Sequence, residues 1–303
     1  MQVKWPDKVT IKEVGPRDGL QNEKEIIPSA EKIKWIDDLS QTGLPYIEIT
    51  SFVNPRWIPQ LCDASEVAKG IKRYPGVKYG ALVPNMRGLA SALESNIDEV
   101  SVFMSASETH NQKNINKSID QTFPVFQETI NGAIAAGKSV RGYVSTVFGC
   151  PYEGKVPIEQ VFKVCDKLFE MGIGELSLGD TIGVANPRQV EEVLDLALKR
   201  YDTKRITMHF HNTRGMALAN VLTSLEYGIT SFDSSLGGLG GCPYAPGASG
   251  NVATDDLVHM LEEMGISTGV NQNKLANAAV KIQHALGKKL TSHQMAVFSE
   301  QLT

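Results

Sequence analysis

Two hydrophobic rhythms alternate along the chain. Short runs rich in Val, Ile, Leu and aromatic residues are followed by longer runs with an apolar residue every three to four positions. That is the mark of a strand followed by an amphipathic helix. Strand-like segments fall at 8–14, 46–52, 78–84, 99–105, 140–148, 175–180, 206–212 and 231–238. Helical patterns follow them at 29–41, 63–73, 86–95, 118–137, 157–171, 187–200, 215–227 and 252–264. Pro157 and Pro187 stand where helices would start, and Gly43, Gly137, Gly172 and Gly228 stand just past helix ends.

Eight such units predict a closed (β/α)8 TIM barrel. An open doubly wound sheet is the competitor, but it usually carries a GxGxxG turn after its first strand, and none is present there. The expected organisation is a single catalytic domain over 1–303. Its barrel covers about 8–265, and a C-terminal helical extension covers about 266–303, with a further helix near 271–286 whose role the pattern does not indicate.

Composition narrows the function. The 303 residues are 42% hydrophobic, enough for a large core without disulfides or structural metals. No apolar run reaches the ~18–20 residues of a membrane span, and the first fifteen residues lack a signal-peptide pattern. A net charge of −4 gives no general attraction to nucleic acid or an anionic membrane. Cys62, Cys150, Cys165 and Cys242 form no CxxC pair, which suits free thiols in a reducing cytoplasm.

In this architecture chemistry gathers where strands end. His209 and His211 are two apart, so on one strand they share a face, and a pair of inward imidazoles suits a divalent metal or a hydrogen-bonded histidine pair equally well. Arg17 and Asp18 end the first strand, one strand removed from the seventh across the eighth, within reach of a metal held there. Glu48 shares a face with Thr50 and needs a partner if buried; a salt bridge and a catalytic role are both open. Asp180 ends the sixth strand and is the stronger functional candidate. Arg141 and Tyr143 share an inward face of the fifth. Six glycines crowd residues 237–250 around Cys242, a costly choice unless backbone must approach a ligand or move. Asn251 follows, a hard oxygen donor. Asp18, His209, His211 and Asn251 would make a mixed N/O set, better matched to six-coordinate Mg²⁺ or Mn²⁺ than to a closed zinc site.

The segments VGPRDGLQNE (14–23), VRGYVS (140–145), HFHNTRG (209–215) and GLGGCPYAPGASGN (238–251) resemble the metal-dependent lyase and Claisen-condensing family of (β/α)8 barrels. Within it they resemble the branch that acts on 3-hydroxy-3-methylglutaryl-CoA (HMG-CoA). The resemblance spans about residues 8–290. It implies cleavage of that thioester to acetyl-CoA and acetoacetate, as a step of leucine degradation. Asp18, His209, His211 and Asn251 would be the ligands of Mg²⁺ or Mn²⁺. Arg17 and Cys242 would be catalytic, with Gln21, Glu48, Asp180 and Arg141 around the substrate; of these, Gln21 and Arg141, with Arg17, would bind it. Asp180 would be the partner of the substrate hydroxyl. An acyl-CoA partner and a homodimer or larger assembly are also implied. One departure stands out: Asp255 occupies a position where the family leads one to expect glutamate. A Claisen-condensing synthase and a non-catalytic barrel remain the alternatives. The short chain and the Cys242 loop weigh against the first, and the complete set of chemical groups weighs against the second.

Overall fold

The computed structural model describes residues 5–240 and 250–301. Eight parallel strands close into a barrel in chain order, with β8 returning to pair with β1. The strands are β1 (Thr10–Glu13), β2 (Tyr46–Ser51), β3 (Lys78–Leu82), β4 (Glu99–Ser105), β5 (Ser139–Ser145), β6 (Glu175–Asp180), β7 (Ile206–Phe210) and β8 (Ser231–Ser234). Outward residues such as Ile11, Ile47, Val102, Val144, Leu178, Met208 and Phe232 are buried against a helical layer. The apolar core is therefore the cylinder between strands and helices.

The barrel interior is unusually charged. Arg141 Nη2 donates to Asp233 Oδ1 at 2.5 Å, its Nε lies 2.8 Å from Glu175 Oε1, and Lys12 Nζ reaches Glu175 at 2.6 Å. Buried charges persist only when paired in this way. This lattice closes the barrel below the cavity and supports the residues one pleat above it.

The outer helices are α1 (Ser29–Ser40), α2 (Ala64–Gly70), α3 (Met86–Glu94), α4 (Glu108–Ile115), α5 (Ile119–Ala135), α6 (Ile158–Glu170), α7 (Pro187–Ala197), α8 (Ala217–Glu226) and α9 (Thr254–Glu263). Two more, α10 (Gln272–Leu286) and α11 (His293–Gln301), form the C-terminal extension. Capping explains several starts: Asn186 with Gln189, and Ser118 with Gln121, close reciprocal side-chain boxes on α7 and α5. The hydrophobic rhythm did not reveal α4 or α11. The α4 sequence, ETHNQKNI, has almost no apolar stripe. It is set by its ends, where Ser107 accepts from His110 N and Asn116 closes the helix with φ +54°.

Candidate active site

The chain leaves β1 through one wide helical turn, Gly15–Gly19, with Pro16 near its start. The turn swings Arg17 and Asp18 over the C-terminal end of the barrel. From β7, His209 and His211 reach the same point, and one ligand atom each from Asp18, His209 and His211 lie within 4.8 Å of one another.

The surroundings aim these groups. Asp233 Oδ2 lies 3.3 Å from His209 Nδ1, leaving Nε2 turned toward Asp18 Oδ2 at 4.0 Å. A carboxylate behind a histidine fixes its tautomer and orientation for a metal on the other nitrogen. Burial, with His209 alongside, lowers His211 to a pKa of about 3, so its ring is neutral and offers a lone pair. Burial works to raise the Asp18 carboxyl, but Arg17 and the two histidines overcome it and hold Asp18 below its usual range. Asn251, bridged to His211, donates through Nδ2 to Asp18 Oδ2 at 2.8 Å and to the Leu239 carbonyl at 3.0 Å. Its Oδ1 and His211 Nδ1 are buried without a hydrogen-bond partner. A buried, unpartnered amide oxygen beside a carboxylate and a neutral imidazole is what a hard cation would satisfy, so the residues fit a divalent ion.

Arg17 sits beside this cluster. Its Nε donates to Glu48 Oε2 at 2.5 Å and its Nη1 to Asp18 Oδ1 at 2.6 Å. The guanidinium lies 5.3 Å from the centre of the Tyr143 ring, and Tyr143 Oη donates to Glu48 at 3.2 Å. Burial disfavours the charge, yet Glu48 and Asp18 outweigh it and keep the guanidinium protonated. Gln21 Nε2 reaches Asp18 Oδ1 at 3.3 Å. Above these groups opens a cavity of about 1110 Å³, floored by Arg17, Asp18, Gln21, Tyr143, His209 and His211. Trp57, Asn85, Lys113 and Lys117 are among the residues of its outer wall. Gly240 enters it with φ +101°, and a Cβ there would collide with the Asn251 amide; only glycine fits.

The structure places Asp180 and Arg141 differently from expectation, and pairs buried Glu48 with Arg17, the salt bridge that was one of its two open roles. Asp180 faces away from the cavity. Gly179, not Asp180, pairs in register with inward His209, and Asp180 shares its face with the outward Leu176 and Leu178. Its two oxygens accept from Val184 N at 3.0 Å and Ala185 N at 2.9 Å, pinning the β6–α7 loop. Burial raises its carboxyl. Arg141 points inward as expected but one pleat too deep: it is fully buried, consumed by Asp233, Glu175 and Tyr143, and does not line the cavity. Glu48 is fully buried behind Arg17, and the register shift between Glu48 and Thr50 breaks the expected shared face. Cys242 lies outside the described residues.

Sequence reasoning missed Asp233 and Glu13. Asp233 was legible as a charge at mid-strand in SFDSSL, where an inward carboxylate must meet a partner. Glu13 gave no signal beyond ending β1. It is fully buried, its oxygens accept from Gly15 N, Leu236 N and Thr254 Oγ1 at 2.7–3.0 Å, and burial lifts its pKa to about 7.

The HMGL-like family model matches residues 8–282. Hydroxymethylglutaryl-CoA lyase of Bacillus subtilis is 61% identical over 294 residues, covering 97% of this chain and 98% of that one. The mitochondrial hydroxymethylglutaryl-CoA lyase of Bos taurus is 52% identical over 288 residues, covering 95% and 89%. The crystal structure of the Bacillus subtilis HMG-CoA lyase superimposes with a TM-score of 0.96 over 97% of this chain and 99% of that one. An Acinetobacter baumannii HMG-CoA lyase in complex with coenzyme A and 3-methylmalate, 42% identical, superimposes with a TM-score of 0.91 over 95% and 94%. The chain belongs to the HMGL-like family.

Proposed function

We propose that this protein is a hydroxymethylglutaryl-CoA lyase that cleaves HMG-CoA to acetyl-CoA and acetoacetate with Mg²⁺ or Mn²⁺ held by Asp18, His209, His211 and Asn251. The observation that carries the reading is the convergence of Asp18, His209 and His211 beside a buried arginine at the floor of one large cavity. The 61% identity to a lyase of that name supports the choice of reaction.

A bound divalent ion supplies Lewis acidity, lowering the pKa of a hydroxyl that chelates together with a carboxylate oxygen. The chain does the rest. In the reaction the C3 hydroxyl passes its proton to a water of the cavity, the C2–C3 bond breaks, and its electrons pass to C2 and the thioester oxygen as an enolate. C3 becomes the ketone of acetoacetate. Arg17, permanently protonated and braced by Glu48, faces the cavity and can donate to the thioester oxygen where that charge develops. C2 then takes a proton to give acetyl-CoA, and the Cys242 thiol is the proposed donor. Asp180 cannot take the hydroxyl proton from its outward position. Positioning of Tyr143 and Glu48 is the role left to Arg141, whose Nη1 donates to Tyr143 Oη at 2.8 Å.

The coenzyme A arm would run along the outer wall, where Lys113 and Lys117 offer the local cations that a chain of net charge −4 does not supply overall. The Acinetobacter relative, which binds coenzyme A, supports this partner. Free Cys62, Cys150 and Cys165 support a reducing, cytoplasmic setting. No helix among the described residues is long and apolar enough to cross a membrane. The test is direct. HMG-CoA is added to chelator-treated protein with and without Mg²⁺ or Mn²⁺. Acetoacetate released only with the ion is expected; no acetoacetate under any condition would refute the assignment.

A further inference from the structure

The C-terminal extension has so far had no part in the chemistry. Between α10 and α11 the chain turns back against the start of the glycine-rich loop. Thr291 N donates to the Gly237 carbonyl at 3.3 Å. Leu290 packs so closely that any Cβ on Gly237, which has φ +67°, would collide with it. The amide of Gly237 is held from a third side, donating to Asp255 Oδ1 at 2.9 Å. The neighbouring Asp256 binds the start of α11, accepting from His293 N at 3.1 Å and Gln294 N at 2.8 Å. Both carboxylates are buried. Adjacent acids on α9 thus tie the glycine loop and the C-terminal helix to one point.

What Gly237 carries is two residues away. The Leu239 carbonyl accepts from Asn251 Nδ2, whose only other acceptor among the described residues is Asp18 Oδ2. Those two bonds fix the amide plane and leave the buried Oδ1 unpartnered. Without the Leu239 carbonyl, one bond remains and the amide is free to turn about it.

We propose that Asp255 and the segment Leu290–Gln294 form a positioning latch for the metal ligand Asn251, gripping Gly237 so that the Leu239 carbonyl fixes the plane of the Asn251 amide beside Asp18 and leaves its buried oxygen for the ion. The inference rests on the reading of Asn251 as a ligand. It gives the C-terminal extension a role in metal binding, and it gives Asp255 a short-range task that aspartate length suits. Groups supporting a ligand from behind commonly change metal affinity by about 10–100-fold when removed.

Mn²⁺ titration followed by electron paramagnetic resonance, on chelator-stripped full-length protein, tests this without reference to turnover. Asn251→Ala, Asp255→Ala and Leu290→Ala are each expected to weaken Mn²⁺ binding by about 10–100-fold. Asp255→Asn keeps an acceptor oxygen for Gly237 N and should bind as wild type. In the Asn251→Ala background, Asp255→Ala should add nothing, because its effect passes through that amide; a merely structural role would add its own loss. If Asp255→Ala does not fold, Leu290→Ala alone and combined with Asn251→Ala carries the same comparison. Wild-type affinity in Asp255→Ala or Leu290→Ala, with Asn251→Ala weakened, would overturn the latch alone, as would additive losses. Wild-type affinity in Asn251→Ala would overturn the ligand reading and the latch with it.

Discussion

Replacing Arg17 by Met separates two roles that the geometry joins. Arg17 braces Glu48, which is fully buried and keeps only the Tyr143 hydroxyl, at 3.2 Å, once the 2.5 Å bond from Arg17 is lost. An uncompensated buried carboxylate costs about 3–5 kcal/mol, so Arg17→Met should unfold at markedly lower urea. Adding Glu48→Gln removes the stranded charge and should return most of that stability. Catalysis should not return with it. Losing a donor at a developing oxyanion costs about 10²–10³-fold in kcat, and the double variant still lacks that donor. Asp18 also loses its Arg17 partner, so rates are compared at saturating Mn²⁺, with acetoacetate formation as the assay and urea denaturation beside it. If activity recovers in step with stability in Arg17→Met/Glu48→Gln, Arg17 is a brace and not a catalytic group.

Other expectations follow from the same geometry. Asp233→Asn should weaken Mn²⁺ binding by about 10–100-fold, because His209 Nδ1 loses the carboxylate that orients it; unchanged binding would remove Asp233 from the site. Glu13, raised by burial to about 7, holds its proton in the folded state while the unfolded chain releases it near the ordinary value of about 4.3. Its contribution is therefore full below that value and is lost as pH rises through about 7, by about 4 kcal/mol across the interval. Glu13→Gln should flatten that fall, and an unchanged pH–stability profile would contradict it. Cys242→Ser should lower kcat strongly with KM nearly unchanged, whereas an effect on KM alone would make the thiol a contact.

The sequence carried most of this architecture because hydrophobic period and capping residues are local signals. The β4 and β6 segments match their expected limits, and α7 begins at Pro187 as the proline suggested. The His209–His211 pair was legible for the same reason: two residues on a strand share a face. The errors came from depth and parity. Asp180 ends a strand, but Leu176 and Leu178 on the same parity already mark that face as outward. Arg141 has the right parity at the wrong height, and height along a barrel axis depends on stagger between strands that are remote in sequence. The latch around Gly237 joins residues 237, 255 and 290–294, so no local pattern could disclose it.

The central claim is that Asp18, His209, His211 and Asn251 hold one catalytic divalent ion. Equilibrium dialysis against Mn²⁺ of wild type and of His209→Ala, each then given HMG-CoA, tests it most directly. The account predicts a single tightly bound ion and acetoacetate release in wild type, with both lost in His209→Ala. A variant that releases acetoacetate at the wild-type rate without binding the ion would contradict it.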